Sequence, residues 1–278
     1  MDRADDLGQG LTSYDLDQLD RGAELRRLER QAAVALDRER AAVASLGVDP
    51  GATVLDLGCG PGLMSARLLE LVPAGALIGV DADPALLARA RERCAGAGAR
   101  ARFVEAWADA LPIDDQSVDL VYARFLFQHL PRPLVVLAEL RRVLRPGGRV
   151  CVLDTDDGNL LVHPAPPGLD HLLRASAAGQ RARGGDRHVG RKLRALLTQA
   201  GFAQVAVRLE PFTAEAAGWE AFVDVTMGFK RQIVDPALMS AEEADVVIGA
   251  LRALSAEAGA WAQTAAYLAV GARPAEAA

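Results

Sequence analysis

Val54-Leu55-Asp56-Leu57-Gly58-Cys59-Gly60-Pro61-Gly62 is the stretch that decides how the chain is read. Thr53 to Leu57 is a short apolar, β-branched run, the pattern of a buried parallel strand. Three glycines at alternate positions follow at once, and Leu63 to Leu71 then resumes the helical spacing of apolar residues. Strand, glycine turn and helix together let backbone approach a ligand closely, because glycine has no Cβ to collide and tolerates positive φ. The helix behind the turn offers free N–H groups and a partial positive charge. A dinucleotide fingerprint needs glycines at offsets one, three and six, and the sixth position here is Leu63. Asp56, two residues before the first glycine, would repel a pyrophosphate; it suits a ligand that carries an ammonium group.

Outward from this turn the chain alternates strands and helices, the mark of an α/β fold with a doubly wound sheet. Ala76 to Val80 is a second apolar strand ending in Asp81, which stands near the ~20-residue spacing at which such units place an acid on ribose hydroxyls. The competing reading makes Asp81 or Asp83 the cap of a helix that starts at Pro84; the reading adopted is Asp81 as ligand and Asp83 as cap. Further elements are a helix over Pro84 to Ala97, a strand over Ala101 to Glu105, a strand over Asp119 to Ala123 and a helix over Pro133 to Leu144. Arg145-Pro146-Gly147-Gly148 breaks that helix before a fifth strand, Arg149 to Leu153. Residues 160 to 188 then interrupt the alternation. Val189 to Ala200 is a helix, Gln204 to Glu210 a sixth strand, 213 to 260 mostly helical, and Thr264 to Ala272 a last strand.

Asp56-x-Gly58-x-Gly60-x-Gly62 resembles motif I of the class I S-adenosylmethionine (SAM)-dependent methyltransferases, and Gly79-Val80-Asp81-Ala82-Asp83 resembles the second motif of that family. The Leu111-Pro112 segment, the exit of the fourth strand and Arg145-Pro146-Gly147-Gly148 agree with it in order and spacing, so the likeness covers about residues 20 to 210. It implies a Rossmann-like, seven-stranded sheet with its last strand antiparallel, helices on both faces and a helical lid. It implies SAM as cofactor, with Gly58, Gly60 and Gly62 against the methionine half and Asp56 near its amino group. Asp81 would meet the ribose, Ala82 beside it would also bind the cofactor, and Arg124 would offer backbone. Relatives often carry an Asp where Trp107 stands. Trp107 therefore either stacks on adenine or is a half-buried core aromatic, with Asp109 or the amide near Ala108 meeting the adenine amino group. Glu24-x-x-Arg27-Leu28-x-x-Gln31 resembles the N-terminal helix of bacterial small-molecule methyltransferases, which folds over the cofactor and would bring Gln31 to it.

The implied organisation is an arm and covering helix over residues 1–46, then a SAM-binding domain over 47–278 with lid insertions at about 155–190 and 211–260. In open parallel sheets, residues just beyond the strand ends line the ligand crevice, which puts Arg124 and His129 in a position to matter. His129 is either the catalytic acid–base or a residue packed under the next helix. Asp154-Thr155-Asp156-Asp157-Gly158-Asn159 clusters oxygens, but an EF-hand loop needs an acid at its twelfth position and Ala165 stands there. No metal is expected; Asp156 is read as the acid facing substrate, and His163 of the lid is a second substrate-binding candidate. Arg181 to Arg194 is locally basic, a solvated face before it is an anion site.

Composition bounds the rest. The 278 residues are 51% hydrophobic with formal net charge −6, and the isoelectric point near 5.3 gives no general attraction to nucleic-acid phosphates. No Asn-Pro-Pro-Tyr or Pro-Cys motif of nucleic-acid methyltransferases is present. Three scattered cysteines make neither a disulfide framework nor a metal cluster. The acidic first residues and the lack of a long apolar run lead us to expect a cytoplasmic protein, without membrane or nucleic-acid partner, monomeric or homodimeric. The expected function is methyl transfer to an O, N or C nucleophile of a small molecule, in secondary metabolism. A non-catalytic SAM-binding regulator is the alternative, and an RNA or protein methyltransferase a weaker one.

Overall fold

The computed structural model describes residue 29 and residues 36–275; the expectation for Gln31 lies outside the described residues. Strand β1 (Thr53–Leu57) sits in the middle of the sheet. β2 (Ala76–Asp81) and β4 (Val118–Arg124) flank it, both parallel to it. β3 (Ala101–Glu105) extends the sheet beyond β2, and β5 (Leu144–Thr155) extends it beyond β4. The last strand, β8 (Trp261–Ala272), runs antiparallel to β5, with Leu153 opposite Leu268. β7 (Ala203–Thr213) pairs with β8, and a three-residue strand, β6 (Leu161–His163), pairs with the start of β8 where β5 no longer reaches. The seven expected strands are present, the last antiparallel, and β6 is added.

Alternation along β1 explains the layers. Leu55 and Leu57 point to one face, where they meet Leu137 and Leu140 of α4 (Pro133–Val143) and Leu193 and Leu197 of α6 (Leu193–Gln199). Val54 points to the other face, against Val43 of α1 (Leu36–Ala44) and Leu68 of α2 (Leu63–Leu71). A strand buried on both faces reads as a continuous apolar run, as Thr53–Leu57 does. α3 (Pro84–Arg93) follows β2, with Asp83 accepting from the Ala85 and Leu86 amides at 2.7 and 3.0 Å as its cap. It stops at Arg93 instead of Ala97 because Gly96 and Gly98 follow, and Gly98 turns to φ 55°. A 3-10 stretch carries the chain to β3.

The helices of residues 169–182 and 214–253 pack against each other as one unit, the cap. α5 (Leu169–Ala182), α7 (Ala214–Ala217), α8 (Trp219–Met227), α9 (Lys230–Ile233) and α10 (Ala241–Ala253) lie in this region. Leu172, Phe222, Met227, Ile248 and Leu251 share one core there, separate from the two sheet faces. Phe212, at the end of β7, stacks on Phe222 at 5.3 Å and ties the cap to the sheet. Among the described residues no helix is long and apolar enough to cross a membrane.

Candidate active site

The site lies where β1, β2, β4 and β5 end. Gly58, Gly60 and Gly62 hold φ of 67°, 52° and 76°, which side chains with a Cβ rarely adopt. The Gly58 and Cys59 amides donate to the Val80 carbonyl at 2.8 and 3.0 Å, folding the loop onto the end of β2. At Gly62 a Cβ would stand 2.7 Å from the Ala90 Cα, so this glycine lets α2 and α3 close up. At Gly60 a Cβ would meet nothing within 4 Å, so this part of the loop faces open space.

Asp81 is held ready by backbone: Oδ2 accepts from the Gly60 amide at 2.8 Å and Oδ1 from the Asp83 amide at 3.0 Å. Each oxygen keeps a further lone pair for a hydroxyl donor. Asp56 is only 2% exposed and accepts from the Ser65 hydroxyl at 2.6 Å. Burial pushes its carboxyl up to about 7; Ser65 opposes that rise and the charge of Asp81 adds to it. An acid so placed gains from a cation at the loop.

Glu39, which the sequence reading did not single out, reaches the same region from α1. It takes Arg124 Nε and Nη2 at 2.6 and 3.0 Å and accepts from the Tyr122 hydroxyl at 3.2 Å. Its only sequence signal is a charge on the otherwise apolar side of the helix. Arg124 also lies over the Phe125 ring, 4.6 Å from its centroid. Phe125 adopts φ 50°, strain of the kind that collects at functional clefts. Arg124 thus pairs with Glu39 and feels the charge of Asp56, and Asp81 adds a further carboxylate to the same end of the sheet.

Beyond β3 the Ala106 amide donates to the Asp81 carbonyl at 3.1 Å. Trp107 is 41% exposed and Ala108 packs on the core. Asp109 accepts from Arg132 Nη2 at 2.9 Å, and Ala82 is half-buried beside Asp81.

The cap side is built from β4, β5 and the helices above them. His129 is buried, its Nδ1 is 3.1 Å from Gln180 Nε2 of α5, and its ring meets Phe229 edge-on at 5.4 Å. Asp154 is fully buried and accepts from the Gln128 and Thr155 amides at 3.1 and 2.8 Å. Burial pushes it up to about 7 against those hydrogen bonds. Asp157 joins Arg187, at 2.8 and 3.0 Å, to Lys230 of α9, at 3.1 Å. Burial alone would raise Asp157, but the two cations hold it well below the ordinary carboxylate range.

Asp156, expected to face substrate, is fully buried instead; Arg191 grips it at 2.5 and 2.6 Å and His188 Nδ1 lies 3.2 Å away. It braces the chain after β5 against the segment that leads into α6. The basic stretch 181–194 therefore supplies Arg187 and Arg191 as internal partners of Asp157 and Asp156. His163 stands exposed on β6, opposite Trp261.

This arrangement fits a ligand with a cationic end and a diol: a glycine loop open at Gly60 with the buried Asp56 just before it, and an acid whose oxygens are aimed by backbone amides. Residues 54–148 match the family described as a methyltransferase domain. The chain is 33% identical to a trans-aconitate 2-methyltransferase of Methylobacterium radiotolerans, over 65% of each protein. It is 41% identical to a demethylmenaquinone methyltransferase of Thermus thermophilus, over 36% of this chain and 46% of that one. A phosphoethanolamine N-methyltransferase 2 of Haemonchus contortus, solved in complex with S-adenosyl-L-methionine, superimposes with a TM-score of 0.55 at 17% identity. That match covers 85% of this chain and 52% of that one; at such identity it speaks for the fold alone. The chain spans 44% to 65% of the lengths of the curated relatives it matches.

Proposed function

We propose that this chain is a class I SAM-dependent methyltransferase and that it transfers the methyl group of SAM to a small-molecule acceptor held under the cap. The observation that carries this reading is Asp81, fixed by the Gly60 and Asp83 amides beside a glycine loop open to a ligand. Asp81 would take the ribose hydroxyls, and the backbone of Gly58 and Gly60 the methionine half. Asp56 would face the amino group. Trp107, Ala82, Ala108 and Asp109 would meet the adenine, and Arg124 would offer its backbone from the end of β4.

Bound SAM supplies a methyl group already activated by its sulfonium. What remains for the protein is to align a nucleophile, and alignment alone is worth up to ~7–11 kcal/mol of barrier. The cap would keep water out for that: Phe229, between α8 and α9, is buried with its ring against that of the buried His129. The relatives named for trans-aconitate and demethylmenaquinone support a small molecule as the acceptor. Calorimetry with SAM, followed by release of S-adenosylhomocysteine against a panel of metabolites, tests the reading. SAM bound without turnover on any acceptor would instead favour a SAM-binding regulator, and no SAM binding would end both.

A further inference from the structure

We propose that Ser65, on the first turn of α2, is a positioning residue for the cofactor: its hydroxyl holds the Asp56 carboxylate in the charged form that the cationic end of SAM requires, and so sets the pH range in which SAM binds. That Ser65 acts on Asp56 stands on the geometry of the loop; the bearing on SAM rests on the methyl-transfer reading.

Strand alternation puts Asp56 on the same face of β1 as Val54, the face that α2 covers. The glycine turn brings the chain back so that the first turn of α2 meets the carboxyl, and Ser65, fully buried, donates to Asp56 Oδ2 at 2.6 Å. Among the described residues no other hydrogen bond reaches the Asp56 side chain. Asp81 is served by two backbone amides, which no side-chain substitution removes; Asp56 depends on a single hydroxyl.

Burial is the largest influence on Asp56 and favours the neutral acid. Asp81 pushes the same way, and Arg124, shared with Glu39, pushes back. Tyr122 on β4, Cys59 in the loop and Cys94 just after α3 also lie near, but burial holds all three in their neutral forms. The Ser65 hydroxyl can turn to serve either form of the acid. A hydrogen bond to a charged oxygen is about twice as strong as a neutral one, so the hydroxyl favours the carboxylate. Removing it changes no charge nearby, which isolates its effect.

Carbon-13 spectra of the aspartate carboxyls follow the titration in the full chain without SAM, the Asp56 signal being the one that Asp56→Asn removes. The midpoint should lie at about 7 in the unaltered protein. Ser65→Ala should raise it by about one pH unit, the difference between a charged and a neutral hydrogen bond. Ser65→Cys, a weaker donor of similar size, should raise it by less and decides the matter if the alanine variant does not fold. An unmoved midpoint overturns the action on Asp56. Calorimetry with SAM reads the consequence as a ratio of affinities, the unaltered protein against Ser65→Ala, in which the titration of SAM itself cancels. The ratio should be about tenfold at pH 6 and fade to near equality by pH 9, as a one-unit shift from about 7 requires. In an Asp56→Asn background the ratio should no longer vary with pH. A ratio equal at pH 6 and pH 9, the mark of a merely structural loss, or one still pH-dependent without Asp56, overturns the role in SAM binding. An unaltered protein that binds no SAM ends that role together with the methyl-transfer reading, while the carbon-13 result stands or falls by itself.

Discussion

Glu39 and Arg124, 85 positions apart in the chain, form a bidentate ion pair at the exit of β4, with side chains 6% and 14% exposed. Through it α1 is pinned to the mouth of the crevice. Removing one partner strands the other charge. Glu39→Ala should destabilise the fold by about 2–4 kcal/mol, near the usual cost of breaking a buried pair and discounted for the partly open arginine. Glu39→Gln, which keeps an acceptor oxygen, should cost less. Urea denaturation of the three proteins measures this; equal midpoints would mean that the pair contributes nothing.

Asp81→Ala should lower SAM affinity at least about 100-fold in calorimetry, the loss of two hydrogen bonds to a charged group. Unchanged affinity would remove Asp81 from the ribose role.

The glycines of the loop should separate by phenotype. Gly62→Ala places a Cβ 2.7 Å from the Ala90 backbone at φ 76°, so it should lose stability by roughly 2–3 kcal/mol through overpacking and backbone strain. Gly60→Ala, at φ 52° with nothing within 4 Å, should cost only about 1–2 kcal/mol of folding. On the proposed function its methyl group would project into the space proposed for SAM, so binding should suffer more than folding does. Thermal melts with and without SAM distinguish the two.

Asp56 and Asp154 both have carboxyls raised by burial to about 7 from the unfolded value of 3.8. The folded state therefore holds their protons more tightly than the unfolded chain does. These two groups should make stability fall as pH rises from about 4 to about 7 and level off above it, by at most about 1.4 kcal/mol per pH unit for each. Asp157 has the opposite shift, and its window lies below 4. Asp56→Asn should flatten part of the slope in the ligand-free protein, read from denaturation at pH 5, 6, 7 and 8; a slope unaltered by the substitution would show that Asp56 is already ionised. SAM affinity should run the other way and strengthen as pH rises through 7, because a cation at the loop prefers the ionised acid.

Much of the site could be read in the linear chain because its parts are local. The end of a strand and a turn within nine residues, with a helix directly after them, bring Asp56 and three glycines together with no help from afar. The start of α3 at Pro84 and its cap, Asp83, were equally plain. Helix ends next to glycine pairs were not, since Gly96 and Gly98 stop α3 only by the conformations they adopt.

The sequence by itself determined the order of strands and helices, the glycine loop and the acid at the end of β2, since apolar periodicity and turn chemistry act over a few residues. The tertiary structure alone decided what each buried polar group faces. Glu39 finds Arg124, Asp157 finds Arg187 and Lys230, and Asp156 is turned from a substrate contact into a brace for Arg191. A buried charge must have a partner, but nothing in composition or spacing names one that is 30 to 85 residues away.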